Sequence, residues 1–281
     1  MDKTSKIIIL AGGFSDEREV SLRSGRNVYE ALLRLGYKQA EFMDLESPEK
    51  LSEIIARRKT IDLVVLMTHG TYGEDGCLQG LLELAEISYT GSDVLSSAIC
   101  MNKIRTKEIL AGRKLPLLKT YLARDVYDGT TDLDANAEMI FKPSVGGSSV
   151  GICKFNQLAE FRDFVNSNSK VKAEIEKYLI EKFIRGVEVT TSVIEASPDC
   201  IKENHNHCKV FTKSGKNLIS LPILELRPKN EFYDYEAKYT EGMTEFILPA
   251  EIETSLEEKI HNYALEAFYR LDCKCAARLD F

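Results

Sequence analysis

The residues best suited to chemistry lie in a few short, unusual runs. In FKPSVGGSSVG, residues 141–151, Lys142 ends an apolar stretch, and Gly146, Gly147, Ser148 and Ser149 follow. Small residues let backbone amides and hydroxyls close over phosphate oxygens, and a lysine adds a point charge. The run lacks the Gly-Lys-Ser/Thr ending of a P-loop, and a plain glycine-rich hairpin fits the same residues. In GGFSDEREVSLRSG, a Gly-Gly turn leads into a helix start carrying Glu17 and Glu19. Free N–H groups there suit an anion or polar ligand, although first-turn acids favoured by the helix dipole explain the same pattern. The glycine spacing is not that of a dinucleotide fingerprint. His69, in THGTYGEDG, follows an apolar run at the end where parallel sheets bind ligands.

Three further runs carry charge. LIEKFIRGVEV, residues 179–189, places Glu181, Lys182 and Glu188 around Gly186, as an edge strand with a charged face also would. FYDYEAKY, residues 232–239, packs aromatics, acids and Lys238 into a stretch of no helical or strand period, which reads as a binding loop or lid. In CAARLDF, Arg278 and Asp280 lie two apart and share one face of a strand. They are either an ion pair or an anion-stabilising arginine beside a metal-binding carboxylate. The C-x-C of Cys273 and Cys275 lacks the spacing of a zinc site. His205, His207 and Cys208 are adventitious metal ligands at most.

The elements that must position these residues follow from hydrophobic patterning. Residues 6–11 and 61–68 are apolar runs of strands buried on both faces. Between them Val28, Ala31, Leu32 and Leu35 recur at helical spacing, and Gly36 caps the C-terminus. Such alternation predicts a parallel sheet with packed helices. An amphipathic helix is expected over 94–111, ending at the Gly112–Pro116 break. Strands are expected at 118–123, 138–143 and 178–184 in a small α+β domain, then at 187–195, 209–212 and 218–226. A helix over 252–271 and a last strand over 275–281 complete the pattern. The polar stretch 197–216 reads as a surface hairpin or excursion.

The bulk properties narrow the class. The chain has 281 residues, 44% hydrophobic and 29% charged, enough for two or three compact units. A net charge of −7 argues against a general nucleic-acid binder. No apolar run approaches the roughly 20 residues of a membrane span, and MDKTSKIIIL lacks the features of a secretory signal. A cytoplasmic protein without membrane partners is expected. Seven scattered cysteines read as reduced thiols rather than a disulfide framework.

Taken together, GGFSDEREVSLRSG, THGTYGEDGCLQGLLEL, YTGSDVLSSAICMNK, FKPSVGGSSVGICK, LIEKFIRGVEVT, FYDYEAKY and CAARLDF closely resemble segments of D-alanine–D-alanine ligases, in the same order and over nearly the whole chain. The resemblance implies a mixed α/β and α+β ATP-grasp fold: a Rossmann-like domain over 1–100, a central small lobe over 101–186 and a C-terminal lobe over 187–281. It implies ATP, magnesium or manganese, D-alanine as substrate and a homodimer. By the same resemblance Glu17 holds the first alanine's ammonium group, with Ser148 and Tyr239 linked to it, and Val20 and His69 line the substrate. Lys103 and Lys142 contact ATP phosphates and converge on one cleft, unpaired with carboxylates. Glu181, Lys182 and Ile184 match the adenine-binding strand, Glu188 the ribose carboxylate, and Phe232 the border of the adenine. Lys238 and Tyr239 lie on the lid, Arg278 matches the transition-state arginine, and Asp280 the first metal ligand.

Where Gly146 stands, the family often has an acidic residue, and 197–216 is longer than in shorter members. The family also has a Glu-x-Asn strand beyond the run that ends here at Phe281. Poor ligation by the 281-residue chain is therefore expected, with retained adenine binding. The competing readings are a ligase whose second substrate is D-serine or D-lactate, and a non-catalytic nucleotide-binding fragment.

Overall fold

The computed structural model describes residues 1–113, 115–147, 151–197, 207–213, 215–229, 240 and 242–281. It divides into two compact units. The first holds Met1–Met101, Ser192–Leu221 and Ala264–Arg278; the second holds Asn102–Thr191, Pro222–Tyr263 and Leu279–Phe281. No described helix is long and apolar enough to cross a membrane.

In the first unit, β1 (Ile7–Gly12) is buried at every position. Helix α1 (Arg18–Arg34) leads to β2 (Ala40–Leu45), and α2 (Pro48–Ala56) to β3 (Leu63–Leu66). The three strands are parallel in the order β2-β1-β3. Alternate residues of the central strand feed two cores, which is why its sequence is apolar throughout. Ile8 and Leu10 pack with Met43, Leu45, Ile54 and Leu82, while Ile7 and Ile9 pack with Val28, Leu32 and Phe42. Leu35, expected on the packed face of α1, is 62% exposed and caps the helix; Gly36 follows at φ +90°.

Strand β2 escaped the sequence reading because Glu41 and Asp44 interrupt its apolar pattern. Both carboxylates are compensated locally: Arg57 forks onto Glu41, and Arg18 Nη2 donates to Asp44 at 2.8 Å. Helix α3 (Cys77–Leu84) completes this layer.

The helix expected over 94–111 is two, α4 (Val94–Met101) and α5 (Lys103–Ala111). Asn102 breaks it. Its backbone is extended, and its Oδ1 accepts from the amides of Ile104 and Arg105 at 3.1 Å each. An N-cap satisfies donors that the first helical turn leaves unpaired. Asn102→Ala is therefore expected to destabilise the protein by about 1 kcal/mol, read as a lower urea midpoint at unchanged slope. An unshifted midpoint would mean that the cap is energetically silent.

The second unit contains β4 (Thr120–Leu122), α6 (Ala123–Asp128), β5 (Met139–Pro143), β6 (Cys153–Phe155), α7 (Leu158–Ser167), α8 (Ser169–Ala173) and β7 (Tyr178–Lys182). Its antiparallel sheet runs β4-β7-β5-β6. An aromatic core lies beneath, with Phe141 fully buried among Phe155, Phe161 and Tyr178. This core fixes β5 and β7, the strands that carry Lys142 and Glu181.

The remaining elements are β8 (Glu188–Glu195), β9 (Lys209–Lys213), β10 (Lys216–Ser220), β11 (Leu224–Pro228), β12 (Thr244–Ile247), α9 (Thr254–Arg270) and β13 (Ala276–Asp280). The strand expected over 218–226 is interrupted at Leu221–Ile223, where Pro222 offers no N–H to a ladder. Register on β8 shifts by one residue across the break, from Ser220↔Val193 to Leu224↔Thr190. Of 197–216, the end forms β9, which pairs antiparallel with β10 beginning at Lys216; residues 198–206 and 214 lie outside the described set.

Candidate active site

In the first unit a polar cluster forms where β1 and β3 end. Ser21, fully buried at the start of α1, accepts from the Gly12 amide and donates to the Met67 carbonyl, both at 2.7 Å. Ser15 Oγ donates to the His69 carbonyl at 2.6 Å. These bonds tie the Gly-Gly loop to the segment carrying His69. Glu17 is the N-cap residue of α1, yet its side chain makes no capping bond. Instead its carboxylate lies against Gly70: a Cβ at that glycine, which has φ +69°, would sit 2.8 Å from Glu17 Oε2. Only glycine tolerates both that conformation and that approach. Val20 follows, half-buried, on the first turn of the helix.

His69 is half-buried, with Nδ1 3.5 Å from Glu74 Oε1. Among the described residues its buried Nε2 has no hydrogen-bond partner, an unsatisfied group of the kind a ligand completes. The hydrogen bond with Glu74 raises the imidazole above its ordinary value of 6.5 against the effect of burial; Glu17 adds to the rise and Arg278 opposes it. Burial alone would raise Glu74, but His69, the Gly70 amide and Arg278 together hold it below 4.5. Arg278, exposed on β13, thus lies close enough to act electrostatically on both.

The signs fix a pH dependence. Stability from the raised imidazole is full below pH 6.5 and is lost as pH rises through its folded value. Stability from the lowered Glu74 is present above 4.5 and is lost as pH falls through its own folded value. The pair contributes most in the mildly acidic window between. Glu74→Gln is expected to bring the His69 imidazole NMR titration down toward 6.5, and to narrow the stability gap to wild type as pH climbs past the wild-type midpoint. An imidazole titration unmoved by the substitution would show that Glu74 does not set it.

In the second unit, a different cluster surrounds Glu181. This carboxylate is 3% exposed. Lys142 Nζ reaches its Oε2 at 2.6 Å, Thr120 Oγ1 donates to Oε1 at 2.7 Å, and Lys107 Nζ donates to the same oxygen. Burial is the largest influence on Glu181 and raises it, but the charge of Lys142 and the bonds from Lys107, Lys142 and Thr120 hold it low. The expectation that Lys142 is unpaired with a carboxylate is therefore corrected. Pairing of β5 with β7 sets Lys142 and Glu181 close together, and a buried carboxylate needs a cation.

Lys103 Nζ donates to the Gly146 carbonyl at 2.7 Å, and its amide donates to Ser144, so α5 starts against the glycine-rich loop. Lys182 and Ile184 line a separate cavity of about 340 Å³ with Leu118, Tyr121 and Leu133. Glu181 is not among its lining residues, because alternate positions of a strand face opposite ways. Glu188 opens β8, and Asp280 Oδ1 accepts from Thr190 Oγ1 at 2.8 Å. Arg278 and Asp280 occupy alternate, exposed positions of β13. Among the described residues no group of three or more His, Cys, Asp or Glu is arranged to hold a metal.

Ser148, Phe232, Lys238 and Tyr239 lie outside the described residues, and with them the expected convergence of Glu17, Ser148 and Tyr239. Glu74, Lys107 and Thr120 were not singled out from sequence. Lys107 had a signal: it is four residues after Lys103, on the same helical face. Glu74 had none beyond its glycine-rich surroundings.

Residues 135–281 match the family described as the D-ala D-ala ligase C-terminus, and residues 41–92 the D-ala D-ala ligase N-terminus. A D-alanine–D-alanine ligase of Geotalea uraniireducens is 36% identical over 280 residues, spanning 99% of this chain and 81% of the relative. One from Thermotoga maritima is 37% identical over 279 residues, 98% of this chain and 82% of the relative. The structure of the Bacillus anthracis D-alanine–D-alanine ligase complexed with ATP superposes with a TM-score of 0.71 at 29% identity, over 99% of this chain and 81% of that one. The mixed α/β architecture is thus that of the ATP-grasp ligases. By these matches over almost its full length, the chain belongs to the D-alanine–D-alanine ligase family.

Proposed function

We propose that this chain joins two molecules of D-alanine at the expense of ATP, giving D-alanyl-D-alanine for peptidoglycan precursor synthesis. The observation that carries the reading is the cluster of Glu17, His69 and Arg278 where the parallel strands end. A zwitterionic amino acid needs an anion for its ammonium group and cations for its carboxylate, and this cluster supplies both. Glu17 binds the first alanine's ammonium group, Val20 lies beside it, and His69 sits by the carboxylate through its Nε2, which has no partner among the described residues. Ser148, Lys238 and Tyr239 complete the substrate site and its lid.

For ATP the fit rests on charge. Lys107 and Lys142 share the single carboxylate of Glu181, leaving one surplus positive charge for phosphate. Lys103 brings its ammonium group beside the glycine-rich loop, where it donates to the Gly146 carbonyl. Lys182 and Ile184 contact the adenine at the 340 Å³ cavity; by the family resemblance Phe232 contacts the adenine as well, and Glu188 holds the ribose. Asp280 offers hard carboxylate oxygens of the kind magnesium or manganese takes alongside phosphate oxygens and water. Bound there, the metal would neutralise charge developing on the phosphates.

In the reaction, a carboxylate oxygen of the first D-alanine attacks the γ-phosphorus and ADP leaves, forming an acyl phosphate. The neutral amine of the second D-alanine then attacks the carbonyl carbon. Arg278 stabilises the oxyanion of the tetrahedral intermediate, which collapses with loss of phosphate and a proton. Closure of the Lys238–Tyr239 lid excludes water that would hydrolyse the acyl phosphate. Incubation with ATP, magnesium and D-alanine is expected to give the dipeptide by mass spectrometry, with one phosphate released per bond, a result that would set aside the poor ligation expected from the sequence. D-serine and D-lactate, offered as competing second substrates, are expected to give minor products. Phosphate release without dipeptide, or a dominant mixed product, would overturn the reading.

A further inference from the structure

We propose that Lys107 is a positioning residue that holds Glu181 compensated so that Lys142 is released to a phosphate of ATP, an inference that rests on the ATP-binding reading above. The two lysines differ in how they are committed. An ammonium group has three donors. Those of Lys107 go to Glu181, to Thr120 Oγ1 at 3.0 Å and to the Leu118 carbonyl at 3.2 Å, all within the protein. Among the described residues Lys142 has one such partner, Glu181, at 2.6 Å. Lys107 is therefore fastened into the cluster, whereas Lys142 hangs on a single ion pair.

That difference matters because Glu181 is buried. A buried carboxylate stripped of every cation is strongly unfavourable. With Lys142 as its sole cation, any movement of Lys142 toward phosphate would incur that cost, and ATP would bind correspondingly less well. Lys107, helped by the hydroxyl of Thr120, keeps the carboxylate ionised and satisfied after Lys142 leaves. Two lysines on one carboxylate is thus the composition a lysine exchanging between two anions requires. The placement of Lys107 follows from the start of α5: Asn102 caps the helix, and Lys103 and Lys107 follow on one face.

The test is steady-state kinetics with saturating D-alanine, together with calorimetric binding of ATP and of adenosine. Lys107→Met leaves Lys142 trapped on Glu181. The KM and Kd for ATP are expected to rise by about tenfold or more, with kcat, the KM for D-alanine and adenosine binding little changed. Lys107→Arg, which restores a cation, is expected to return ATP affinity to within about threefold of wild type. In a Glu181→Gln background nothing holds Lys142, and adding Lys107→Met is expected to leave the KM for ATP unchanged. In this double variant the buried Glu181 carboxylate is gone and Lys142 keeps a side chain 21% exposed, so it remains informative if Lys107→Met alone does not fold. An ATP KM unmoved by Lys107→Met, or raised equally in both backgrounds, would overturn the proposal. Lys142→Met separates the layers: an unchanged ATP affinity there would sink the phosphate role of Lys142 itself. A weakened affinity there, beside an unaffected Lys107→Met, would sink the role of Lys107 alone.

Discussion

Arg278→Ala is expected to lower kcat by roughly a hundredfold to a thousandfold, the range found when one donor to a developing oxyanion is removed. The KM for ATP should stay close to wild type. Arg278 is exposed on β13, and its charge is felt at His69 and Glu74. Because the side chain is exposed, its removal opens no core cavity, and the melting temperature should move little. Its proposed contribution is to the step in which negative charge appears on the carbonyl oxygen of the acyl phosphate. Arg278→Lys should recover only part of the loss, because a lysine lacks the planar fork of donors. A variant that loses ATP affinity in proportion to turnover would instead place Arg278 at the nucleotide. One that keeps full turnover would remove it from the chemistry.

The same substitution has a second readout. Arg278 lowers the imidazole of His69 by repulsion. Its removal should raise the His69 titration further, opposite in direction to the effect of Glu74→Gln. The two variants together distinguish a cluster that titrates as a unit from side chains that are merely neighbours in the chain.

Much of the fold was legible in the residues. The β1 run is apolar throughout because both its faces are covered, and α1 follows from the recurrence of Val28 and Leu32 on the core side. Strand β2 was hidden because Glu41 and Asp44 break its period. Their compensation by Arg57 and Arg18 depends on partners 16 and 26 residues distant in the chain, which no local pattern displays. Asn102 was equally opaque: an asparagine inside an apolar-periodic stretch reads as a tolerated helical residue until its side chain is seen to cap α5.

For the candidate site, the residue types were legible but their pairing was not. Lys142, Glu181 and His69 each stand in a run whose composition draws attention. That Glu181 is buried between two lysines depends on the β5–β7 register, Ile140↔Glu181 and Lys142↔Leu179. Sequence spacing cannot set that register across two separate segments. Nor could it show that Lys107, outside the glycine-rich motif, is fastened to three acceptors in this cluster. The residue types read as a set of ligand contacts, whereas the fold holds Lys107, Lys142 and Glu181 as one cluster of compensated charges.

Lys142→Met should reduce ATP affinity by about tenfold to a hundredfold, the scale of truncating one partner of a desolvated charge pair. The fold should nevertheless survive. Glu181 keeps the ammonium of Lys107 and the hydroxyl of Thr120, so removing Lys142 does not leave a bare buried carboxylate. The methionine stem replaces most of the aliphatic packing of the lysine on β5, above the Phe141 core. Nucleotides of graded charge then isolate the phosphate contribution: the loss should be greatest for ATP, smaller for ADP and absent for adenosine. A loss equal across all three would assign Lys142 to the base or ribose. A collapse of the melting temperature with no selective loss for ATP would make it a structural cation for Glu181 and remove it from the nucleotide site.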